Sequence, residues 1–305
     1  MPANAEVETP LEGQTFRGKS SLIRHANFVK LPHTVFALPF ALVGVTLASY
    51  VAPVTAQQIV WVVLAFTSAR FAAMGFNRIV DRDIDSRNPR TRSRELPSGA
   101  MTLREASVAV MLAGVFFFLS AAMLNKLCLA LAPLAMGWVL FYSYTKRFTR
   151  WSHLALGIGL SIAPVGGYLA VTGKWGQPWW MLVALALAVA TWVGGFDILY
   201  ALQDVSFDRS EGLHSIPAAW GERRGLFLAR VLHLLTIVAL AAVGVAAGAG
   251  ALYFSGIAVA AALLVYEHSL VKEDDFSRLD AAFFTMNGVI SIVFFGFVLT
   301  ERLLR

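Results

Sequence analysis

Residues 57–85 read QQIVWVVLAFTSARFAAMGFNRIVDRDID, an apolar run that ends in the evenly spaced polar residues Asn77, Asp81 and Asp85. The apolar part, 57–76, has about the 20 residues needed to cross the hydrocarbon core of a bilayer. Inside lipid every backbone N–H and C=O needs a partner within the segment, so such a run is a helix. If the helix continues past residue 76, a spacing of four stacks Asn77, Asp81 and Asp85 on one face.

Eight further apolar runs of similar length follow the same pattern, at about 33–51, 106–124, 127–144, 153–172, 179–200, 226–246, 250–267 and 282–300. Hydrophobic residues make up 57% of the 305 and charged residues only 14%, whereas a soluble domain carries about a quarter charged. Strand-length alternation of the kind a membrane barrel needs is absent. The expected fold class is therefore an all-α integral membrane protein of about nine transmembrane helices. Residues 1–20 open with Glu6, Glu8 and Glu12 and show no apolar core, so they read as a flexible N-terminal tail and not as a secretory leader. Residues 21–32 read as an amphipathic lead-in. No linker rich in Pro, Gly or Ser divides 21–305, which is read as a single polytopic membrane domain.

With nine spans, the N-terminus and the segments 77–105, 145–152, 201–225 and 268–281 share one side. That side carries 19 of the 25 Lys and Arg residues. Basic residues stay cytoplasmic, so the acidic end of the second span is expected to face the cytoplasm, as in a bacterial inner membrane. The formal charge of +6 is thus a topology signal. The basic residues border helices and form no solvated patch, which argues against nucleic acid as a partner. Cys128 is the sole cysteine, so no disulfide or thiolate metal site is expected. Trp175, Trp179 and Trp180 look like an interfacial belt on the opposite side. Gly157, Gly159, Gly166, Gly167, Gly194 and Gly195 read as positions of close helix approach.

The sixth span runs into a second acidic segment, Asp197-Ile-Leu-Tyr200-Ala-Leu-Gln-Asp204-Val-Ser-Phe-Asp208. Four spans separate it from the first, so both emerge on the same face, as a same-direction repeat would place them. Stacked carboxylates repel, and something cationic must offset them. Arg82, Arg90 and Arg94 do so as surface ion pairs in one reading. A bound divalent cation does so in the other. Carboxylates plus an Asn carbonyl suit Mg²⁺, which prefers to share its shell with phosphate oxygens; the His and Cys clusters of a zinc site are missing. The metal set is then Asn77, Asp81, Asp85, Asp204 and Asp208. Lys146, Arg147, Arg82 and Arg24 are the candidate cations for a diphosphate. Such a metal-bound diphosphate in a membrane setting implies a long apolar chain attached to it. His33 and His214 stand at the same boundary.

The ordered motifs resemble those of the UbiA-type intramembrane prenyltransferase family along nearly the whole chain. The matching residues are Asn77-x-x-x-Asp81-x-x-x-Asp85 and Asp197-x-x-Tyr200-Ala with Asp204 and Asp208. Segments 33–40, 88–91, 94–99, 142–147 and 212–217 add to the likeness. The resemblance implies helices around a central cavity open sideways to lipid. It also implies Mg²⁺-dependent transfer of a polyprenyl group from polyprenyl diphosphate to an aromatic acid, with Asp81, Asp85, Asp204 and Asp208 as the catalytic acids. The form of residues 73–78 is similar to 4-hydroxybenzoate polyprenyltransferase-like members of ubiquinone or menaquinone biosynthesis. A 1,4-dihydroxy-6-naphthoate is the alternative acceptor. Arg70, Asp197, Tyr200, Tyr142 and Tyr144 are the expected acceptor- or prenyl-binding residues. Arg78 departs from the family's pattern, since a second acid often follows the Asn. A transporter of divalent cations or organic anions is the competing reading, although its acids would sit nearer mid-membrane.

Overall fold

In a computed structural model the described residues are Phe16, 20–31, 34–271 and 285–305. Most of the tail, His33 and much of the connection before the last span lie outside them. All the regular structure among the described residues is helical. A short lead-in, α1 (Ser21–Phe28), precedes α2 (Thr34–Ala48), α3 (Ala56–Arg87), α4 (Leu103–Leu124), α5 (Lys126–Thr145), α6 (Ser152–Thr172) and α7 (Trp180–Ala201). Two short helices, α8 (Val205–Ser210) and α9 (Ile216–Trp220), lead to α10 (Glu222–Ala246), α11 (Ala251–Leu270) and α12 (Asn287–Leu304). Eight of these segments are long and apolar enough to cross a bilayer, and α2 is the shorter ninth. The chain is a multi-pass membrane protein.

The bundle centres on α2, α6, α7 and α10, with α11 and α12 closing one side and α3, α4 and α5 the other. Its core joins Phe40, Tyr168, Trp192, Tyr253 and Phe294, with Phe40 and Trp192 rings 4.8 Å apart. Glycine sets the closest approaches. A Cβ on Gly167 of α6 would collide with the Ala41 carbonyl of α2, and one on Gly44 with the Pro164 carbonyl. Gly157, Gly194 and Gly195 are likewise pressed against α7, α6 and α10. Gly159 and Gly166 serve differently: both line a cavity, and Gly166 faces open space.

α3 has 32 residues, which at 1.5 Å per residue extend about 48 Å. That exceeds the roughly 30 Å hydrocarbon core, so its last turns, bearing Asn77, Asp81 and Asp85, stand beyond mid-membrane. A Thr55–Gln58 capping box fixes its opposite end. The second motif is not one continuous helix. A 3₁₀ turn over Leu202–Asp204 separates α7 from α8, and the Gln203 side chain donates to the Tyr200 carbonyl at 3.0 Å. Asp204 therefore sits at the start of α8 and Asp208 within it, not on a shared α-helical face.

Candidate functional site

The two acidic segments meet at one cavity of about 310 Å³. α3 supplies Asn77, Arg78, Asp81 and Asp85; α7 and α8 supply Asp197, Tyr200, Asp204 and Asp208. Its lining contains five carboxylates against six Lys and Arg side chains, so the acids are fully balanced by the chain itself.

Each acid has specific partners. Asn77 Nδ2 donates to Asp81 Oδ2 at 3.1 Å, which shows the four-residue face of α3 at work. The other partners of Asp81 come from the end of α5: Lys146 Nζ at 2.7 Å and Arg147 Nη2 at 2.9 Å. Asp85 takes Arg94 Nη1 at 2.8 Å and the Thr91 hydroxyl at 3.1 Å. Asp204 receives a fork from Arg90, Nε at 3.0 Å and Nη2 at 2.6 Å, with Asn88 Nδ2 at 3.2 Å. Arg90 Nη1 also donates to the Tyr200 hydroxyl at 2.9 Å. Burial pulls the Arg90 guanidinium down, but Tyr200 and Asp204 outweigh it and hold it above its ordinary value. Asp208 accepts from the Ser215 hydroxyl at 2.8 Å.

These are not surface ion pairs. Arg90 and Arg94 are 10% and 15% exposed, and Arg90 joins the loop after the first motif to the second motif. The loop 212–217 is sewn to the site three times. His214 N–H donates to the Lys146 carbonyl at 2.8 Å, Ser215 holds Asp208, and Ile216 N–H donates to His153 Nε2 at 3.3 Å. His153, which nothing in its local sequence singles out, lines the cavity and holds Asp197 Oδ2 through Nδ1 at 2.7 Å.

Some expected residues fall outside the cavity lining. Arg82 pairs with its neighbour Asp83 at 3.2 Å and is 44% exposed, because it lies on the other face of α3. Arg24 reaches the Ala100 carbonyl at 3.0 Å, since α1 packs over α3 and α4 through Phe28. Tyr144 faces outward at 41% exposure, with Phe76 edge-on at 6.0 Å. Arg78, by contrast, is buried in the lining, where its charge faces Asp85 and Arg94.

A second, apolar cavity of about 540 Å³ adjoins the first. Arg70, Tyr142, Met74 and Leu160 line both. It runs toward Cys128 and Trp175 at the opposite end of the bundle, and its rim includes Leu134 and Val183, which are 73% and 47% exposed. The cavity thus opens sideways, onto the face that lipid covers. Arg70 Nε is buried at the junction without a hydrogen-bond partner among the described residues.

An acid-and-cation pocket is thus continuous with an apolar one that opens toward lipid. The UbiA prenyltransferase family model matches residues 37–289, and the chain belongs to that family. It is a membrane prenyltransferase, which displaces the transporter reading. It is 32% identical over 230 residues to the 4-hydroxybenzoate octaprenyltransferase of Aromatoleum aromaticum, covering 75% of this chain and 77% of that one. Its fold superposes on the apo structure of a UbiA homolog from Aeropyrum pernix K1 with a TM-score of 0.80 and 34% identity, over 88% of this chain and 98% of that one. A UbiA homolog from Archaeoglobus fulgidus bound to GPP and Mg²⁺ shares the fold at TM-score 0.66 and 19% identity, over 91% and 99% of the two chains.

Proposed function

We propose that this enzyme transfers a polyprenyl group from its diphosphate to a 4-hydroxybenzoate-type aromatic acid, with Mg²⁺, at the cytoplasmic face of a bacterial inner membrane and in quinone biosynthesis. The observation that carries this reading is the junction itself: Asn77, five Asp side chains of the two motifs and six Lys and Arg side chains line a cavity that meets a lipid-open apolar one. The names of the relatives and the GPP and Mg²⁺ bound by the A. fulgidus homolog support it. Residues 21–305 act as one domain in this reading.

The donor types suit the metal: hard carboxylate oxygens of Asp81, Asp85, Asp204 and Asp208 and the Asn77 amide line one cavity, although among the described residues no three acids converge on one point in this arrangement. When bound there, Mg²⁺ supplies positive charge that stabilises the diphosphate as it leaves. Lys146 and Arg147 contact the diphosphate as point charge and fork. The apolar cavity holds the prenyl chain and keeps water from the allylic cation at C1. Tyr142 and Tyr200, in the lining, offer it aromatic faces. Arg70 binds the acceptor carboxylate, which answers its buried Nε, left without a partner among the described residues at the junction. Asp197 lies beside the ring.

A 1,4-dihydroxy-6-naphthoate carries the same carboxylate, so an acceptor panel decides between the two rings. In the test, Asp81→Ala and Asp204→Ala are assayed for diphosphate release with each acceptor. Both variants are expected to insert normally and lose turnover. Retained turnover in either would contradict the metal assignment.

A further inference from the structure

His153 occupies a position that the motifs do not explain. It is the second residue of α6 and only 3% exposed, yet both ring nitrogens are committed. Ile216 N–H can only donate, so at 3.3 Å it requires a lone pair on Nε2. The neutral ring must then carry its proton on Nδ1, which donates to Asp197 Oδ2 at 2.7 Å. The tautomer is set by the backbone of the loop 212–217, a geometry in which one hydrogen bond fixes the other nitrogen's role. Asp197 belongs to neither carboxylate pair of the metal motifs. Its side chain is 23% exposed into the polar cavity, and Oδ1 makes no hydrogen bond among the described residues. One oxygen is clamped and the other is presented to whatever fills the cavity.

We propose that His153 is a positioning residue that makes Asp197 the proton acceptor of the transfer reaction; this rests on the prenyl-transfer reading above. The C1–O bond of the prenyl diphosphate breaks, and its electron pair leaves on the diphosphate. A ring carbon beside the hydroxyl-bearing carbon bonds to C1 with a ring π pair. The C–H proton of that carbon passes to Asp197 Oδ1, and the C–H pair restores the aromatic ring. Asp197, now neutral, returns its proton to water as product leaves. A carboxylate free to rotate would meet this proton less often, and a clamped one stays aimed at it. Outer partners that orient metal ligands contribute on the order of 10–100-fold in activity, and a partner that orients a reacting carboxylate is expected to act on the same scale.

The test uses full-length protein in detergent with Mg²⁺, geranyl diphosphate and 4-hydroxybenzoate, either unlabelled or deuterated beside the hydroxyl. Three proteins are compared: wild type, His153→Leu, which removes the clamp, and His153→Asn, whose amide N–H stands where Nδ1–H does. His153→Leu is expected to lower kcat on the order of 10–100-fold, with KM for the acceptor little changed. It is also expected to reveal a primary isotope effect absent in wild type, because proton loss becomes slow. His153→Asn is expected to keep most of kcat and show no isotope effect. Melting temperature separates a folding loss from a lost clamp. If the variants fold and turn over with no new isotope effect, or if Asn fares no better than Leu, the proposal is overturned while prenyl transfer stands. If wild type forms no prenylated acid, both fall together.

Discussion

Arg90→Leu isolates the strongest of the ion pairs that hold the two motifs together. Leucine keeps most of the apolar volume but removes the fork to Asp204, at 3.0 and 2.6 Å, and the bond to the Tyr200 hydroxyl. Among the described residues, Asp204 then keeps only Asn88 Nδ2 at 3.2 Å. Stripping one partner from a buried pair costs about 3–5 kcal/mol, chiefly through the charge left behind. Asp204 is 17% exposed and retains one donor, which places the loss near the low end, at about 3 kcal/mol. A cation that binds the acids takes the place of the lost guanidinium. Binding to the folded state alone adds stability as RT ln(1 + [L]/Kd), so Mg²⁺ must raise the melting temperature of Arg90→Leu more than that of wild type. Unfolding in detergent is followed by a thermal-shift assay, with Mg²⁺ titrated from EDTA to millimolar. An Arg90→Leu protein as stable as wild type in EDTA would refute the buried clamp. Equal Mg²⁺ increments in the two proteins would refute Asp204 as a metal ligand.

Three further outcomes are expected. Arg70→Met should raise KM for the aromatic acid at least tenfold and leave KM for the prenyl diphosphate near wild type; a matched rise in both would remove Arg70 from the acceptor site. Gly167→Val should destabilise the bundle by about 3 kcal/mol, the upper end of overpacking costs, because the obstacle is the Ala41 backbone and cannot swing aside. Arg82→Ala, on the outer face of α3, should change kcat less than twofold, and a loss comparable to that of Lys146→Ala would return Arg82 to the site.

The membrane helices were legible because lipid leaves the backbone no alternative: each apolar run became a helix, and only α2 came out short of a full span. The first acidic motif was legible for a local reason, since Asn77 and Asp81 are joined along one helix face. The second was only half legible. The four-residue spacing of Asp204 and Asp208 suggests one face, but the 3₁₀ turn after Ala201 turns them to different partners, Arg90 and Ser215. Arg90 and Asp204 are 114 residues apart, and no local pattern announces such a pair. His153 was hidden for the same reason: its partners, Asp197 and Ile216, are distant in sequence. Among the cations, Lys146 lines the cavity and Arg147, outside the lining, still pairs with Asp81 because the end of α5 adjoins α3. Arg24 and Arg82 share their charge and side of the membrane, but helix phase and the docking of α1 turn them elsewhere.

The proposed prenyl transfer to an aromatic acid at the junction of the two cavities can be observed as its product. The direct measurement is mass spectrometry of purified protein incubated with Mg²⁺, a polyprenyl diphosphate, and a panel of hydroxybenzoates and dihydroxynaphthoates. One acid gaining the mass of the prenyl group less a proton, with stoichiometric diphosphate and dependence on Mg²⁺, is the predicted result. Diphosphate released with no prenylated acid, from any member of the panel, would contradict it.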